Sequence, residues 1–153
     1  MPNSHSQIFL QAVFAVKYRR ALIRDPWKRD LFAVIGNLIN ETGCRTIIVN
    51  GIEDHVHCLI RMKPDVSISE VMKTAKAKSS KWINENKFLD HRFEWQSGFG
   101  AFSYSKSEVP NVKRYIQNQE EHHKKKTFLE EYIEYLKEFD VDYDERYIFK
   151  VPE

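Results

Sequence analysis

The sequence predicts a single α+β domain, an expectation that rests on three observations. A chain of 153 residues is the length of one ordinary domain and is too short for two independent ones. Hydrophobic residues make up 42% of it and charged residues 30%, with only 5 Gly and 5 Pro, which excludes collagen-like, low-complexity and wholly disordered chains. Strand-like runs also alternate along the chain with apolar stripes at helical spacing. We therefore expect residues 1–153 to form one folded unit.

The first predicted strand and helix lie in the N-terminal quarter of the chain. Residues 7–16 are rich in β-branched and aromatic side chains, which is typical of a strand, and they end at the basic run 17–20. Asp25 and Pro26 resemble an N-cap followed by the favoured first-turn proline. Apolar residues then recur at helical spacing, so a helix is predicted over residues 26–42.

Two strands and a second helix follow. Residues 45–51 and 55–62 are short strand-like runs separated by three residues, a pattern that predicts an antiparallel hairpin. Ser67 and Glu70 form a capping box that opens the next helix. Residues 95–105 are aromatic with two glycines and are interpreted as a loop that enters a fourth strand.

The C-terminal third is predicted to be helical. Pro110 lies near the start of a helix that extends to about residue 124, and Thr127 with Glu130 forms a second capping box. Beyond it, residues 127–153 form an acidic tail with one apolar stripe, which we expect to dock on the rest of the chain. The order strand, helix, strand, strand, helix, strand is the ferredoxin-like βαββαβ arrangement, here with additional C-terminal helices. That arrangement carries many unrelated activities and names no function.

The net charge of +2 hides an asymmetry along the chain. Residues 1–126 contain 21 basic and 13 acidic side chains, a balance of +8, whereas residues 127–153 contain 3 and 9, a balance of −6. A basic body suits a polyanionic partner such as nucleic acid. The acidic tail is compatible with packing on the basic surface, with covering it, or with a solvated face.

Composition also indicates a reduced, non-membrane environment. The most apolar stretch, residues 8–16, is far shorter than the roughly 20 residues that a membrane helix needs, and no signal peptide precedes it. Cys44 and Cys58 form no CxxC pair, which fits buried reduced thiols better than a disulfide framework. We therefore expect a cytoplasmic protein without a membrane partner.

The first motif with chemical potential is His55-Val56-His57 on the third strand. Side chains alternate across a strand, so His55 and His57 point the same way with Cα atoms about 6.6 Å apart, close enough for both imidazoles to reach one metal ion. Val56 and Cys58 face the other side, which argues against a His/Cys zinc site. Two histidines on a strand are more often polar surface residues or satisfied core residues than metal ligands.

The second motif is Tyr115-Ile116-Gln117-Asn118-Gln119 on the penultimate helix. At 100° per residue, Tyr115 and Gln119 lie beside Val112 and Ile116 on the inward face. A buried Gln119 amide must be satisfied, either by the backbone or by offering its carbonyl oxygen to a ligand such as a metal. Taken alone, the motif also fits a core tyrosine with a satisfied neighbour.

The two motifs together resemble a known family. The chain is similar to the single-tyrosine HUH transposases of the insertion-sequence 200/605 group, which includes the REP-associated tyrosine transposases. The similarity extends over almost the whole chain, in segments that keep the family's order: KYRR at 17–20, NGIEDHVHCLI at 50–60, KAKSSKW at 76–82, WQSGFGAFSYS at 95–105 and YIQNQ at 115–119.

The resemblance implies roles for four residues. His55, His57 and Gln119 match the ligands of a divalent cation, Mg²⁺ or Mn²⁺, and Tyr115 matches the nucleophile. The implied reaction cleaves single-stranded DNA at hairpin-marked ends, leaves a 5′-phosphotyrosine link and a free 3′-hydroxyl, and rejoins strands without a nucleotide cofactor. A homodimer is implied as well, with Tyr115 acting on its own subunit's site or its partner's. The metal explains the residue types, since a phenol with a pKa of about 10 needs nearby positive charge to become a nucleophile.

Candidate contacts with DNA are predicted from residue type alone. Basic side chains can neutralise phosphates and aromatic side chains can stack on unpaired bases. The candidate basic residues are Lys17, Arg19, Arg20, Lys76, Lys78, Lys81, Lys113 and Arg114, and the candidate stacking residues are Tyr18, Trp82, Phe99 and Phe102. The run His122 to Lys126 fits either a DNA contact or cations favoured at the C-terminal end of a helix.

Two other functions remain open at this stage. The basic body and the aromatic segment 95–105 also fit a non-catalytic single-stranded nucleic-acid-binding module on a ferredoxin-like sheet. The same chemistry also fits a domesticated HUH nickase that acts on chromosomal palindromes.

Overall fold

The computed structural model describes residues 5–124 and 126–143. It contains four strands and five α-helices in these residues: β1 (Ile8–Ala15), α1 (Lys28–Glu41), β2 (Arg45–Ile52), β3 (His55–Met62), α2 (Ile68–Glu85), β4 (Gly100–Tyr104), α3 (Val109–Gln117), α4 (Gln119–His123) and α5 (Phe128–Glu138). The strands form one antiparallel sheet in the order β2-β3-β1-β4. The predicted α+β class with a ferredoxin-like arrangement and additional C-terminal helices is confirmed. The predicted domain and acidic tail also include residues 1–4 and 144–153, which lie outside the described residues.

One face of the sheet carries the larger hydrophobic core. Helices α1 and α2 cover this face, and the alternation of β1 and β3 points the side chains of Phe14, Val56, Cys58 and Ile60 into it. Burial raises the pKa of the Cys58 thiol, and both cysteines are free and buried, as predicted. The histidines of β3 therefore point to the opposite face.

The opposite face is covered by α5, the described helix of the acidic tail. Its Phe128, Tyr132 and Leu136 pack on Val13 and Ala15 of β1, and with Phe102 of β4 they form a second, smaller core. Tyr132 lies so close to Gly100 that a Cβ atom at that position would be 2.7 Å from the tyrosine ring. The predicted docking of the tail is thus observed for residues 128–138.

The start of α1 differs from the sequence-based expectation. The helix begins at Lys28, and Trp27 rather than Asp25 is its N-cap residue. Trp27 is buried and stacks on Phe88 with ring centroids 5.1 Å apart. Residues 25–27 therefore form a turn that delivers the indole into the core.

The helix predicted from about residue 110 to 124 is divided in two at Asn118. Asn50 of β2 donates its side-chain amide to the carbonyls of Ile116 and Gln117, at 2.9 and 3.2 Å. In an uninterrupted helix these carbonyls would accept the N–H groups four residues later. Because Asn50 takes them, α3 ends at Gln117 and α4 begins as a separate segment.

No helix within the described ranges has the length and apolar content needed to cross a bilayer.

Candidate active site

The two histidines of β3 lie on the face of the sheet that α5 covers. His55 is paired in register with Ala15 and His57 with Val13, and both side chains are completely buried. The His55 ring stacks on Phe128 of α5 with centroids 4.1 Å apart. The two histidines therefore point to the same face of the sheet, as predicted.

Each of these imidazoles is held by an oxygen at Nδ1. Asp54 Oδ1 lies 2.8 Å from His55 Nδ1, and Gln11 Oε1 lies 2.6 Å from His57 Nδ1. Carboxylate and amide oxygens accept hydrogen bonds, so each Nδ1 carries the proton and donates it. The Nε2 atoms of both rings consequently face the space beneath α4 and α5.

Gln119 and Tyr115 reach the same space from α4 and α3, which pack against β2. Gln119, at the start of α4, is fully buried and places Oε1 3.2 Å from His55 Nε2. The half-buried Tyr115 of α3 donates its hydroxyl hydrogen bond to Glu131 Oε2, and its ring centroid is 6.5 Å from that of His57. All four residues singled out by the sequence thus lie around one point within a single chain.

Two further residues of this cluster were not predicted. His123 of α4 and Glu131 of α5 form with His55 and His57 a group whose potential ligand atoms all lie within 4.8 Å of one another. In the sequence, His123 belongs only to a basic run and Glu131 only to an acidic tail. A usable indication was present, because Glu131 lies on the apolar face of α5 between Phe128 and Tyr135 at helical spacing.

Electrostatics at the cluster oppose ionisation of the tyrosine. Burial and the neighbouring Glu131 carboxylate raise the pKa of Tyr115 well above its usual value. Burial alone would also raise the pKa of Glu131, but its interactions with the imidazoles of His123, His55 and His57 outweigh burial and lower that pKa. Tyr115 is therefore a neutral phenol and Glu131 a carboxylate, and added positive charge is needed to activate the tyrosine.

The donor set fits a divalent metal. His55, His57 and Gln119 offer two imidazole nitrogens and an amide oxygen, and the Nδ1 partners of the histidines are the acceptors that commonly orient metal-binding imidazoles. These residues come from two rigid elements, β3 and the start of α4. They could hold the ion without rearrangement of the sheet.

A groove of about 310 Å³ leads from the surface to Tyr115. Its lining includes Glu131 and three further glutamates, Glu108, Glu134 and Glu138. The approach to the tyrosine is therefore acidic as well as open. Charge neutralisation would be required for a DNA phosphate to occupy it.

The candidate basic residues occupy different surroundings. Lys76 donates to the carbonyls of Gln96 and Gly98 at 2.7 and 2.8 Å, and burial lowers its pKa, so it braces the loop before β4. Arg19 is largely buried, and Lys17 pairs with Glu94 at 2.9 Å. The remaining members are exposed: Arg20, Lys78, Lys81, Lys113 and Arg114. Lys78 and Lys81 belong to α2, which covers the sheet face opposite the histidines, whereas Lys113 and Arg114 directly precede Tyr115.

The candidate stacking residues also differ in how far they are exposed. Phe102 is only 3% exposed and belongs to the second core, so the expectation that it stacks on bases is wrong. Trp82 and Phe99 pack partly against the first core. Tyr18 is 43% exposed and follows β1 with a positive φ of 59°, which presents its ring to solvent.

Comparisons with known proteins agree with this architecture. Residues 4–119 match the family model described as IS200-like transposase. Transposases for insertion sequence element IS200 from Salmonella typhimurium and Salmonella typhi are each 29% identical over 118 residues, which is 73% of this chain and 76% of theirs.

Two solved structures share the fold. The crystal structure of a candidate transposase from Deinococcus radiodurans has a TM-score of 0.64 and 18% identity, over 78% of this chain and 95% of that one. A REP-associated tyrosine transposase bound to a REP hairpin has a TM-score of 0.59 and 14% identity, over 80% of this chain and 74% of that one. With the family match covering three quarters of the sequence, the resemblance is confirmed, and the chain belongs to the IS200-like transposases, enzymes that cleave and transfer DNA strands.

Proposed function

We propose that this protein is a metal-dependent transposase that cleaves and rejoins single-stranded DNA through a 5′-phosphotyrosine intermediate on Tyr115. One observation carries the proposal: the Tyr115 hydroxyl and His57 Nε2 contact the two oxygens of a single buried carboxylate, that of Glu131. The candidate nucleophile and the candidate metal site therefore contact the same carboxylate group. A phosphate group bound at the candidate metal site would therefore be within reach of the Tyr115 oxygen.

The proposed reaction is a transesterification. The Tyr115 oxygen attacks the phosphorus, the P–O bond to the 3′-oxygen breaks, and the leaving oxygen takes up a proton to become a 3′-hydroxyl. The phenolic proton has an acceptor in place, because the hydroxyl already donates to Glu131 Oε2. In the second step, a 3′-hydroxyl attacks the phosphotyrosine and restores the phenol, so no nucleotide cofactor is consumed.

His55, His57 and Gln119 are the proposed ligands of a divalent ion, Mg²⁺ or Mn²⁺. When bound, that ion would supply Lewis-acid stabilisation of charge on the phosphate and the leaving oxygen. Asp54 and Gln11 hold the imidazoles in place.

Single-stranded DNA with hairpin ends is the proposed substrate, acted on in the cytoplasm. Support comes from the family match and from the structural neighbour that is bound to a REP hairpin. Because Tyr115 reaches the histidines of its own chain, cleavage in cis is feasible in a monomer. The homodimer implied by the family resemblance is a separate proposal, checked by light scattering of the protein with and without DNA.

The test is covalent adduct formation with 5′- and 3′-labelled hairpin oligonucleotides from DNA that flanks the gene. The protein is incubated with Mg²⁺ or Mn²⁺ and resolved on a denaturing gel. We expect an adduct that carries the label from the 3′ side of the cut, is lost with EDTA and is absent in Tyr115→Phe.

Tyr135→Phe is the matched control, because Tyr135 is the neighbouring tyrosine, with its ring centroid 6.2 Å from that of Tyr115. That variant should keep the adduct. An adduct that survives Tyr115→Phe would contradict the proposed nucleophile. Binding of hairpins that is indifferent to EDTA, with no adduct across the whole flanking region, would favour a non-catalytic binding module instead.

A further inference from the structure

Three imidazole nitrogens surround one carboxylate oxygen in the buried cluster. Glu131 Oε1 lies 3.0 Å from His57 Nε2, 3.3 Å from His123 Nε2 and 3.6 Å from His55 Nε2. Gln119 Oε1 adds a second oxygen at 3.1 Å from His123 Nε2 and 3.2 Å from His55 Nε2. His57, His55, Gln119 and Glu131 are buried, and the His123 side chain is only 5% exposed.

The third histidine is oriented in the same manner as the first two. His123 Nδ1 lies 2.8 Å from the backbone carbonyl oxygen of Lys126, an atom that can only accept a hydrogen bond. Asp54 and Gln11 play the same part for His55 and His57. All three rings therefore carry a proton on Nδ1, and their Nε2 atoms converge on the same oxygens, which is the arrangement in which imidazoles present Nε2 to a metal ion.

Such a convergence of nitrogen and oxygen atoms is stabilised by positive charge at its centre. Neutral Nε2 atoms and carboxylate oxygens at 3.0–3.6 Å repel one another unless positive charge lies between them. Ligand atoms about 2.1 Å from a tetrahedral ion are roughly 3.4 Å apart, which matches these separations. Protonating all three buried rings instead would place three positive charges around one carboxylate, at a large desolvation cost.

We infer that His123 and Glu131 are metal ligands that complete the site begun by His55 and His57, and that the completed site prefers a divalent first-row transition ion over Mg²⁺. Three imidazoles favour such ions, whereas Mg²⁺ takes oxygen ligands and retains its water. The inference rests on the proposed metal-dependent function and specifies the ligand set and the class of ion.

The position of the two added ligands gives the C-terminal segment a role. Both lie beyond residues 4–119, the part of the chain that matches the family model. His123 belongs to α4 and Glu131 to α5, so a bound ion would join β3 to both helices. The acidic tail helix would then be part of the metal centre rather than only a cover for the sheet.

Direct metal binding tests the inference without relying on activity. Full-length protein stripped of metal with a chelator is titrated calorimetrically with Mn²⁺, Zn²⁺ or Mg²⁺. We expect the two transition ions to bind at least about 100-fold more tightly than Mg²⁺. Glu131→Gln and His123→Asn should each weaken their binding by about tenfold or more. The visible spectrum of bound Co²⁺ provides a second readout, since loss of a ligand changes the intensity of its absorption.

Matched controls separate the site from general charge effects. Glu134→Gln removes the same charge one turn away on α5, from an exposed carboxylate paired with Lys126, and His122→Ala removes the adjacent histidine. Both should bind metal like the parent protein. Circular dichroism and thermal unfolding of the metal-free variants show whether each variant is folded.

The outcomes distinguish this inference from the proposed function. If His55→Ala abolishes metal binding while folded Glu131→Gln and His123→Asn bind with parental affinity, the three-ligand site stands and the two added ligands are wrong. Parental metal affinity combined with faster DNA cleavage in Glu131→Gln would identify Glu131 as an occupant of the phosphate position, which also overturns its assignment as a ligand. Equal affinities for Mg²⁺ and the transition ions would overturn the ion preference.

Discussion

Gln11 shows how a single polar side chain within a strand can serve the site. It is fully buried, its Oε1 accepts the hydrogen bond of His57 Nδ1, and its Nε2 donates to the Tyr104 hydroxyl at 2.8 Å. The residue thus fixes the His57 tautomer and anchors the ring to β1 and β4. Burying a polar side chain inside a sheet costs free energy, but this cost is offset because both polar atoms of the Gln11 amide are hydrogen-bonded.

Replacing Gln11 with leucine should therefore weaken the metal site without touching a ligand. We expect Gln11→Leu to lower metal affinity by about 10–100-fold, because His57 loses the acceptor that orients it. Gln11→Glu keeps an acceptor oxygen and should retain more of the affinity. Calorimetric titration checks both variants, and equal affinity of Gln11→Leu and the parent would contradict the positioning role.

At the scale of elements, the junction between α3 and α4 decides where Tyr115 and Gln119 point. Asn50 closes α3 by occupying two of its last carbonyls, and Lys28 of α1 holds α4 through Glu120 at 2.8 Å. Gly51 follows Asn50 in β2, and a Cβ there would lie 2.1 Å from the carbonyl oxygen of His55. Two neighbouring residues of β2 thus make both contacts: Asn50 holds the end of α3, and Gly51 allows the close approach of β3.

Asn50→Ala tests this junction. We expect a loss of about 1 kcal/mol of unfolding free energy, because two backbone carbonyls lose a donor, together with slower adduct formation from a misplaced Tyr115. Urea unfolding and a single-turnover cleavage assay measure the two effects. Asn37→Ala, at an exposed asparagine on α1, is the control that should lower neither.

The docking of α5 depends on the absence of a side chain at residue 100. We expect Gly100→Ala to destabilise the protein by about 1–3 kcal/mol, because the added methyl group collides with Tyr132. In a Tyr132→Ala background the same change should cost clearly less, since the colliding ring is gone. A double-mutant cycle by urea unfolding measures this coupling, and additive costs would refute the contact as the cause.

At the scale of the whole molecule, the sheet divides the basic surface into two sides. Lys78 and Lys81 lie with α2 on one side, whereas Lys113, Arg114 and the candidate active site lie on the other. A single strand that reaches Tyr115 passes the second side. Two positive charges on the active-site side should therefore contribute more to DNA binding than two positive charges on the α2 side.

We expect Lys113→Gln with Arg114→Gln to weaken hairpin DNA binding and to reduce the slope of log affinity against log salt by up to about 1.4, the value for two phosphate contacts with a single strand. The matched pair Lys78→Gln with Lys81→Gln removes the same charge and should leave the slope near that of the parent. Fluorescence anisotropy at several salt concentrations gives both slopes. Equal losses from the two pairs would mean that DNA wraps both sides of the sheet.

Metal removal should affect the stability of the whole chain, because the inferred ligands belong to β3, α4 and α5. An ion present at about 100 times its dissociation constant adds about 2.7 kcal/mol, which corresponds to roughly 5–10 °C in Tm for a chain of this size. Thermal unfolding with Mn²⁺ and with EDTA measures the shift. A double variant, His55→Ala with His57→Ala, should show no such difference between the two conditions.

The fold class and the family could be predicted from the sequence, because both follow from local regularities. Alternation along β3 orients His55 and His57 together and turns Cys58 to the other side, and the ordered motifs mark the IS200-like transposases. Helical periodicity likewise placed Tyr115 and Gln119 on an inward face. These features depend on residues within a few positions of one another.

Which distant residues join them depends on how the helices pack on the sheet. Asn50 divides the predicted helix, Phe102 is buried beneath α5, and Glu131 reaches His57 across 74 positions of sequence. The position of Glu131 on the apolar face of α5 indicates that it is buried, but nothing nearby in sequence marks it and His123 as partners of the β3 histidines. The role of these two residues depends on the packing of α5 on the histidine face of the sheet. Burial there removes the water that would otherwise solvate the carboxylate, so its charge must be neutralised by neighbouring groups.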